Sequence, residues 1–175
     1  MQEAERFARS LALVLKHEGG FVHHKDDPGG ATNKGVTQKT YDGWRLSQLL
    51  PKRSVRHITV VEITAIYRKS YWLAASCDEL PAGVDYMVFD LAVNSGVGWA
   101  TKFLQEAVRV SADGVIGPKT LAAVRSLPAA EIVLRMRNRR EAFYRGLGTF
   151  PVFGKGWMRR LTEVAIVADQ WARDK

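Results

Sequence analysis

From Glu3 to His17 apolar side chains recur at Phe7, Leu11, Val14 and Leu15, the spacing of one helix face, and Gly19-Gly20 ends the pattern. Residues 21–37 are then rich in Gly, Asp, Asn, Thr and Pro, around Asp27-Pro28-Gly29-Gly30 and Asn33-Lys34-Gly35. Such a stretch cannot be a core helix, because its residues favour turns and positive φ over helix propagation. Loops or a short irregular hairpin are what remain.

From Thr59 onward the chain reads mostly as helix. Thr59 followed by Glu62 makes a capping box, and Val60, Ile63, Tyr67, Tyr71 and Ala74 line one face of a second long helix that Pro81-Ala82-Gly83 closes off. Asp85 to Val93 is apolar on nearly every side, the mark of a helix buried in the interior, and Asn94-Ser95-Gly96 stops it. Helices are expected from Trp99 to Val108, Pro118 to Val124 and Pro128 to Arg145, the last two opening with proline at the favoured first position. A final one runs from Trp157 to Ala172, with Trp157, Leu161, Val164, Ala168 and Trp171 as its stripe and Arg159, Arg160 and Glu163 opposite. The fold class is mainly α, with a small irregular or β-hairpin lobe after the first helix. Residues 1–95 and 96–175 are expected as two regions of one compact unit.

Composition narrows the function. With 46% hydrophobic residues the chain can bury a core, but no apolar run exceeds about five residues against the ~18 or more of a membrane span. Nor does the charged opening Met-Gln-Glu-Ala-Glu-Arg resemble a secretory signal. The one cysteine, Cys77, excludes an internal disulfide and a cysteine-rich zinc site, and no base is placed by sequence to make it a nucleophile. The net charge is +8, and from Arg125 onward 11 basic residues face 5 acidic ones. That excess favours partners with dense negative charge: nucleic acid, anionic lipid or cell-wall polymer.

Glu18 continues the stripe of the first helix, where the next core residue would stand. Burial and the carbonyls of a helix end both disfavour a carboxylate's charged form, the direction a general acid at neutral pH needs. Asp27, Thr32 and Thr37 bring a second carboxylate and two hydroxyls into the adjoining loop, and Gly29, Gly30 and Gly35 allow tight backbone beside a substrate. Cleaving a glycosidic bond takes a proton donor for the leaving oxygen and a base or other anion facing the reacting carbon, and Glu18 and Asp27 are candidates. Each also has a plain alternative, a surface glutamate at a frayed helix end and an Asx-type turn.

Asp90 sits inside the apolar run and must be paired, to backbone or to an arginine. Asn94, one turn later, is either a helix cap or a sugar contact. Tyr41, Trp44, Tyr71 and Trp72 offer flat faces to sugar rings, although periodicity assigns Tyr71 to the core. His23 and His24 lack a third ligand and do not make a metal site. Arg135, Arg137, Arg139 and Arg140 suggest a nucleic-acid-binding module, yet they scatter around their helix and no nucleic-acid motif accompanies them.

Taken in order, His17-Glu18-Gly19-Gly20-Phe21-Val22, Asp27-Pro28-Gly29-Gly30-Ala31-Thr32-Asn33-Lys34-Gly35-Val36-Thr37, Ile66-Tyr67-Arg68 with Tyr71-Trp72, and Phe89-Asp90-Leu91-Ala92-Val93-Asn94-Ser95-Gly96 resemble the successive signatures of glycoside hydrolase family 108. Leu104-Gln105, Asp113 to Thr120 and Gly156-Trp157-Met158-Arg159-Arg160 resemble its C-terminal peptidoglycan-binding region. The resemblance implies a lysozyme-like helical fold and an N-acetylmuramidase of the endolysin type, with Glu18 as the catalytic glutamate. Beside it stand the residues read from the chain itself: Asp27, Thr32 and Thr37 as candidate catalytic partners, Gly30, Tyr71, Trp72 and Asn94 as candidate substrate contacts, and Arg159 and Arg160 as a candidate wall-binding basic face. No cofactor or metal is expected. Peptidoglycan is the expected partner of a monomer that waits in the host cytoplasm until a holin opens the membrane. The alternatives are a wall-binding or secretion-helper protein that has lost catalysis and, more remotely, the basic nucleic-acid-binding module.

Overall fold

The computed structural model describes residues 2–22 and 30–174. The chain is mainly α, with eight α-helices and one two-stranded antiparallel hairpin among the described residues. It divides into two compact units, Leu11–Ser70 and Met1–Ser10 with Tyr71–Lys175.

Helix α1, Glu3–His17, buries Phe7, Leu11 and Val14 as its periodicity requires. In the unit of residues 11–70 the hairpin follows, β1 at Thr32–Asn33 and β2 at Val36–Thr37, registered Asn33 to Val36 and Thr32 to Thr37. The two residues between the strands, Lys34 and Gly35, have φ of 50° and 75°, the double positive φ that a two-residue turn needs to follow the strand twist. Helix α2, Gln38–Ser47, begins at once, capped by Thr37, whose hydroxyl oxygen accepts from Thr40 N–H. Its only buried residues are Tyr41 and Arg45, so it carries little apolar stripe and the sequence reading passed over it. Helix α3, Val60–Tyr67, has the expected capping box of Thr59 and Glu62. It then widens into a π-helical turn, Arg68–Leu73. Ile63, Ile66 and Tyr67 are buried and Val60, in the first turn of α3, is exposed; the π-helical turn then changes the phase of the stripe, and Ala74 beyond it is exposed.

In the other unit, α4 (Val84–Ser95) is buried from Val84 through Ala92. Helices α5 (Val97–Ala107), α6 (Pro118–Arg125), α7 (Ala129–Arg145) and α8 (Phe150–Arg173) complete it. The last helix starts a full two turns before the expected Trp157. Pro151 is tolerated in its first turn, and Gly154 is required there because a Cβ would stand 2.6 Å from the Phe150 ring.

Asp90 is the polar centre of this unit. Its carboxylate is wholly buried, 2.7 Å from Arg140 and 2.9 Å from Arg160. Burial acts to raise its pKa, and the two arginine charges outweigh that and hold it below the ordinary carboxylate value. The pairing expected of a buried aspartate is met twice over. Arg160, expected on the polar side of the last helix, is therefore corrected: its side chain is 14% exposed and turned inward. It stands three residues after Trp157 and four before Val164, at the edge of the apolar stripe, and a buried carboxylate draws it in.

Candidate active site

Three pieces of the unit of residues 11–70 meet at Glu18. The first is the end of α1: Glu18 follows the last helical residue, His17, and is half-buried. The second is the hairpin turn, tied to the same place by a hydrogen bond from Lys34 N–H to the Gly19 carbonyl, 3.2 Å. The third is the end of α3, where Tyr67 donates its hydroxyl to the Lys34 carbonyl, 2.9 Å.

Gly35 is where they close on one another. A Cβ at this position would overlap the Tyr67 hydroxyl oxygen and stand 3.0 Å from Glu18 Oε2. The space a side chain would need is occupied by the glutamate and the tyrosine. Glycine is thus demanded for two independent reasons, the positive φ and the close approach. The carboxyl group of Glu18 is backed by turn backbone and a phenol, while its partial exposure leaves it reachable. Such a group can deliver a proton from a fixed position.

The hairpin is itself held from behind. Val22 and Thr32 exchange backbone hydrogen bonds of 2.8 and 2.9 Å, and Asn33 Nδ2 donates to the Val55 and Arg56 carbonyls. Gln38 donates to the Arg53 carbonyl and accepts from Val55 N–H, so the 53–56 segment is fastened along the lobe by polar side chains. Glu62 holds Arg45 at 2.7 Å and also pairs with Arg53, while both arginines donate to the Tyr41 hydroxyl. Burial pushes the Glu62 pKa up, but hydrogen bonds from Thr59 and Tyr41 and the Arg53 charge bring it below its usual value.

The other expected site residues fall into three groups. Thr32 and Thr37 are cross-strand partners, so their side chains share one face of the ribbon, opposite the buried Val36. The Thr37 oxygen is engaged in capping α2. Gly30 enters the hairpin with φ 73°. Asp27, with His23 and His24, lies outside the described residues.

In the other unit Tyr71 is half-buried in the π-helical turn and Asn94 is exposed at the end of α4. Trp72 is a correction: it is fully buried edge-on between Phe7 and Phe89, and its indole N–H donates to Glu3, so it offers no face to a sugar. The same holds for Tyr41, fully buried beneath Arg45 and Arg53. Trp44, stacked on Tyr41, is half-buried. Arg159 is exposed, on the polar side of α8 where the sequence puts it.

Sequence reasoning missed Tyr67 as a site residue. Its periodicity marked it as core, and the signals to the contrary were its place in one of the segments that carry the family resemblance and the need of a buried phenol for a hydrogen-bond partner. The arginine run is consumed internally: Arg135 pairs with Glu131, Arg137 with Glu141, Arg139 with Glu106 and Arg140 with Asp90. Among the described residues no group of three or more His, Cys, Asp or Glu could hold a metal ion, and no helix is long and apolar enough to cross a membrane.

Residues 11–96 match the family model described as Glycosyl hydrolase 108, and residues 99–162 match the one described as Predicted Peptidoglycan domain. The solved structure of Brucella abortus SagA is similar to the chain throughout, with 45% identity over 97% of both chains and a TM-score of 0.83. No curated protein is a significant match.

Proposed function

Since the chain belongs to glycosyl hydrolase family 108 and carries a peptidoglycan-binding region, it is a peptidoglycan hydrolase, and we propose that it cleaves the glycan strand between N-acetylmuramic acid and N-acetylglucosamine with Glu18 as general acid. One observation carries the assignment of the acid: the Glu18 carboxylate is lodged against Gly35 and Tyr67 in a space that only glycine leaves open. In this reading Glu18 protonates the glycosidic oxygen as the bond to the reacting carbon breaks. Positive charge grows on the ring, and water completes hydrolysis. Asp27 is the proposed base or charge-stabilising partner, Thr32 orients the water, and Thr37 acts by fixing the second strand onto α2. Gly30 lets the loop backbone lie close to the sugar, and Tyr71 and Asn94 are the further proposed sugar contacts.

The reading extends to cell lysis. As an endolysin, the chain would act as a monomer without cofactor, held in the host cytoplasm until a holin opens a path to the wall. Support for that part comes from the family resemblance alone.

The test is hydrolysis of purified sacculi followed by borohydride reduction of the new chain ends. Reduced muramic acid at the ends supports the proposed bond; reduced glucosamine would move the cut to the other linkage. A fully folded chain that binds sacculi but releases no reducing ends would favour the wall-binding reading instead.

A further inference from the structure

Helix α2 ends in a way that its own residues do not make easy. Leu49 N–H donates to the Leu46 carbonyl at 3.0 Å and Leu50 N–H to the Arg45 carbonyl at 2.9 Å, the paired hydrogen bonds that close a helix when the residue past its cap turns left-handed. The residue that turns is Leu49, with φ 57°. Glycine takes this conformation freely, whereas a leucine takes it against the crowding of its Cβ. Packing does not offset the strain: Leu49 is 94% exposed, and Leu46, three residues before it, 74%.

The turn does not stand alone. Of the 13 large apolar side chains that are exposed among the described residues, five fall between residues 46 and 61: Leu46, Leu49, Leu50, Val60 and Val61. Arg45 ties the two groups together. Its Nε donates to the Pro51 carbonyl at 2.5 Å, just past the leucines, and its Nη1 to Glu62 Oε1 at 2.7 Å, just past the valines. Exposed apolar side chains scattered singly are ordinary, but a concentration of them marks a contact surface.

The charge around this turn is of one sign. No Asp or Glu occurs between Asp42 and Glu62, a stretch that holds Arg45, Lys52, Arg53 and Arg56. Glu62 is shared by Arg45 and Arg53, which leaves that cluster net positive, and Lys52 is exposed two residues past Leu50. Asp42, one helical turn before Leu46, takes the Gln38 amide. Protruding aliphatic side chains with cations at their base match a lipid bilayer, which requires no shaped groove: the apolar chains enter the acyl boundary and the cations meet anionic headgroups. Protein contacts are anchored instead by aromatic residues and arginine, with leucine and valine under-represented. We propose that the leucine turn, with Val60 and Val61 beside it, docks the chain reversibly on an anionic membrane surface. The inference goes beyond glycan hydrolysis and requires nothing of Glu18.

The experiment is co-sedimentation of the full chain with sucrose-loaded vesicles, one set of phosphatidylcholine alone and one of phosphatidylcholine and phosphatidylglycerol in equal parts. The parent should sediment with the anionic set and more weakly with the neutral one. Leu46→Ser should weaken binding to the anionic set about three- to tenfold, the range for one aliphatic side chain partly withdrawn from water. Leu49→Gly should weaken it as much while melting no lower than the parent, because glycine relieves the left-handed turn, so the loss is not one of folding. Lys52→Gln should weaken it about fivefold, the effect of one cation at an anionic surface. Ile166→Ser, an exposed apolar site in the other unit, should bind as the parent does. A parent that stays in the supernatant with the anionic set, or binds both sets equally, overturns the proposal. So does unchanged binding in Leu46→Ser and Leu49→Gly, or an equal loss in Ile166→Ser. A dimer in lipid-free solution that Leu49→Gly dissociates would assign the turn to a second copy of the chain and overturn it as well.

Discussion

Two carboxylates at the heart of two units show how differently one functional group can be used. Asp90 is wholly buried, fixed between two arginines and held below its ordinary pKa. Glu18 is half-buried at a helix end, backed by a glycine turn and a tyrosine hydroxyl. Both continue apolar stretches of sequence, and both would be read there as buried acids. What separates them is the surroundings: a carboxylate enclosed by two guanidinium groups is committed to the fold, whereas one pressed against glycine backbone with an open side is disposed for chemistry. The units differ in the same sense. Residues 11–70 are fastened by side-chain amides and guanidiniums onto loop carbonyls, and the C-terminal helices by aromatic packing and a buried ionic centre.

Removing the Asp90 charge breaks the comparison on the structural side. Asp90→Ala leaves two buried arginines without their counter-ion, a change that typically costs about 3–5 kcal/mol. Thermal unfolding should show it as the largest loss among the single substitutions considered, with residual activity following the folded fraction. A stable, active Asp90→Ala would show that the ionic centre is not what holds the unit. Arg160→Glu should behave alike, because it places a like charge against Asp90.

Gly35→Ala acts on the other side. The left-handed backbone costs an alanine about 1–2 kcal/mol, and its Cβ must displace the Tyr67 hydroxyl or the Glu18 carboxylate. Turnover should fall at least tenfold, and by more than the unfolded fraction accounts for. Tyr67→Phe, which removes the hydrogen bond to the Lys34 carbonyl, should cost about 1 kcal/mol and a smaller part of turnover. Equal activity in Gly35→Ala and the parent would mean that the turn does not position Glu18.

A pH series separates the buried acids. Glu62 and Asp90 are held low, so the stability they contribute is present above their unfolded pKa and disappears as pH falls through the folded one. Asp85 runs the other way. Burial raises it to about 6 against the opposing Arg6 charge, so its contribution is complete below the unfolded value of 3.8 and is lost as pH rises through about 6. Relative to Asp85→Asn, the parent should lose on the order of 2 kcal/mol between pH 4 and pH 7. A constant difference in melting temperature across that range would contradict this.

Much of the fold is legible in the residues, and the places where it is not have identifiable causes. Phe7, Leu11 and Val14 mark α1, proline marks the start of α6, and Thr59 with Glu62 marks the start of α3, because each signal is local. Helix α2 is silent because its buried face is a tyrosine and an arginine whose partners, Glu62 and the Pro51 carbonyl, lie further along the chain. The π-helical turn after Tyr67 alters the period without a breaker residue. Trp72 and Arg160 exchange their expected surroundings for the same reason: burial is decided by distant partners, Phe89 for one and Asp90 for the other. At the site, Glu18 and the turn glycine stand out in the sequence, while the part played by Tyr67 depends on where α3 ends in space.

The smallest effect belongs to the exposed arginine. Arg159→Glu should change stability by less than about 0.5 kcal/mol, as substitutions on an open surface do. Binding to intact walls should weaken modestly at low salt and converge with the parent at physiological strength, where the Debye length is ~8 Å. A loss that persists at high salt would assign Arg159 a direct contact.

Glu18→Gln tests the central claim most directly, because it keeps the size and hydrogen bonding of the side chain and removes only the transferable proton. The account predicts that reducing ends released from sacculi fall by ~10² to 10⁴. It also predicts that the melting temperature stays within about 2–4 °C of the parent, the shift that about 1 kcal/mol produces in a chain of this size. A folded Glu18→Gln that still releases reducing ends at more than a few tenths of the parental rate would contradict it.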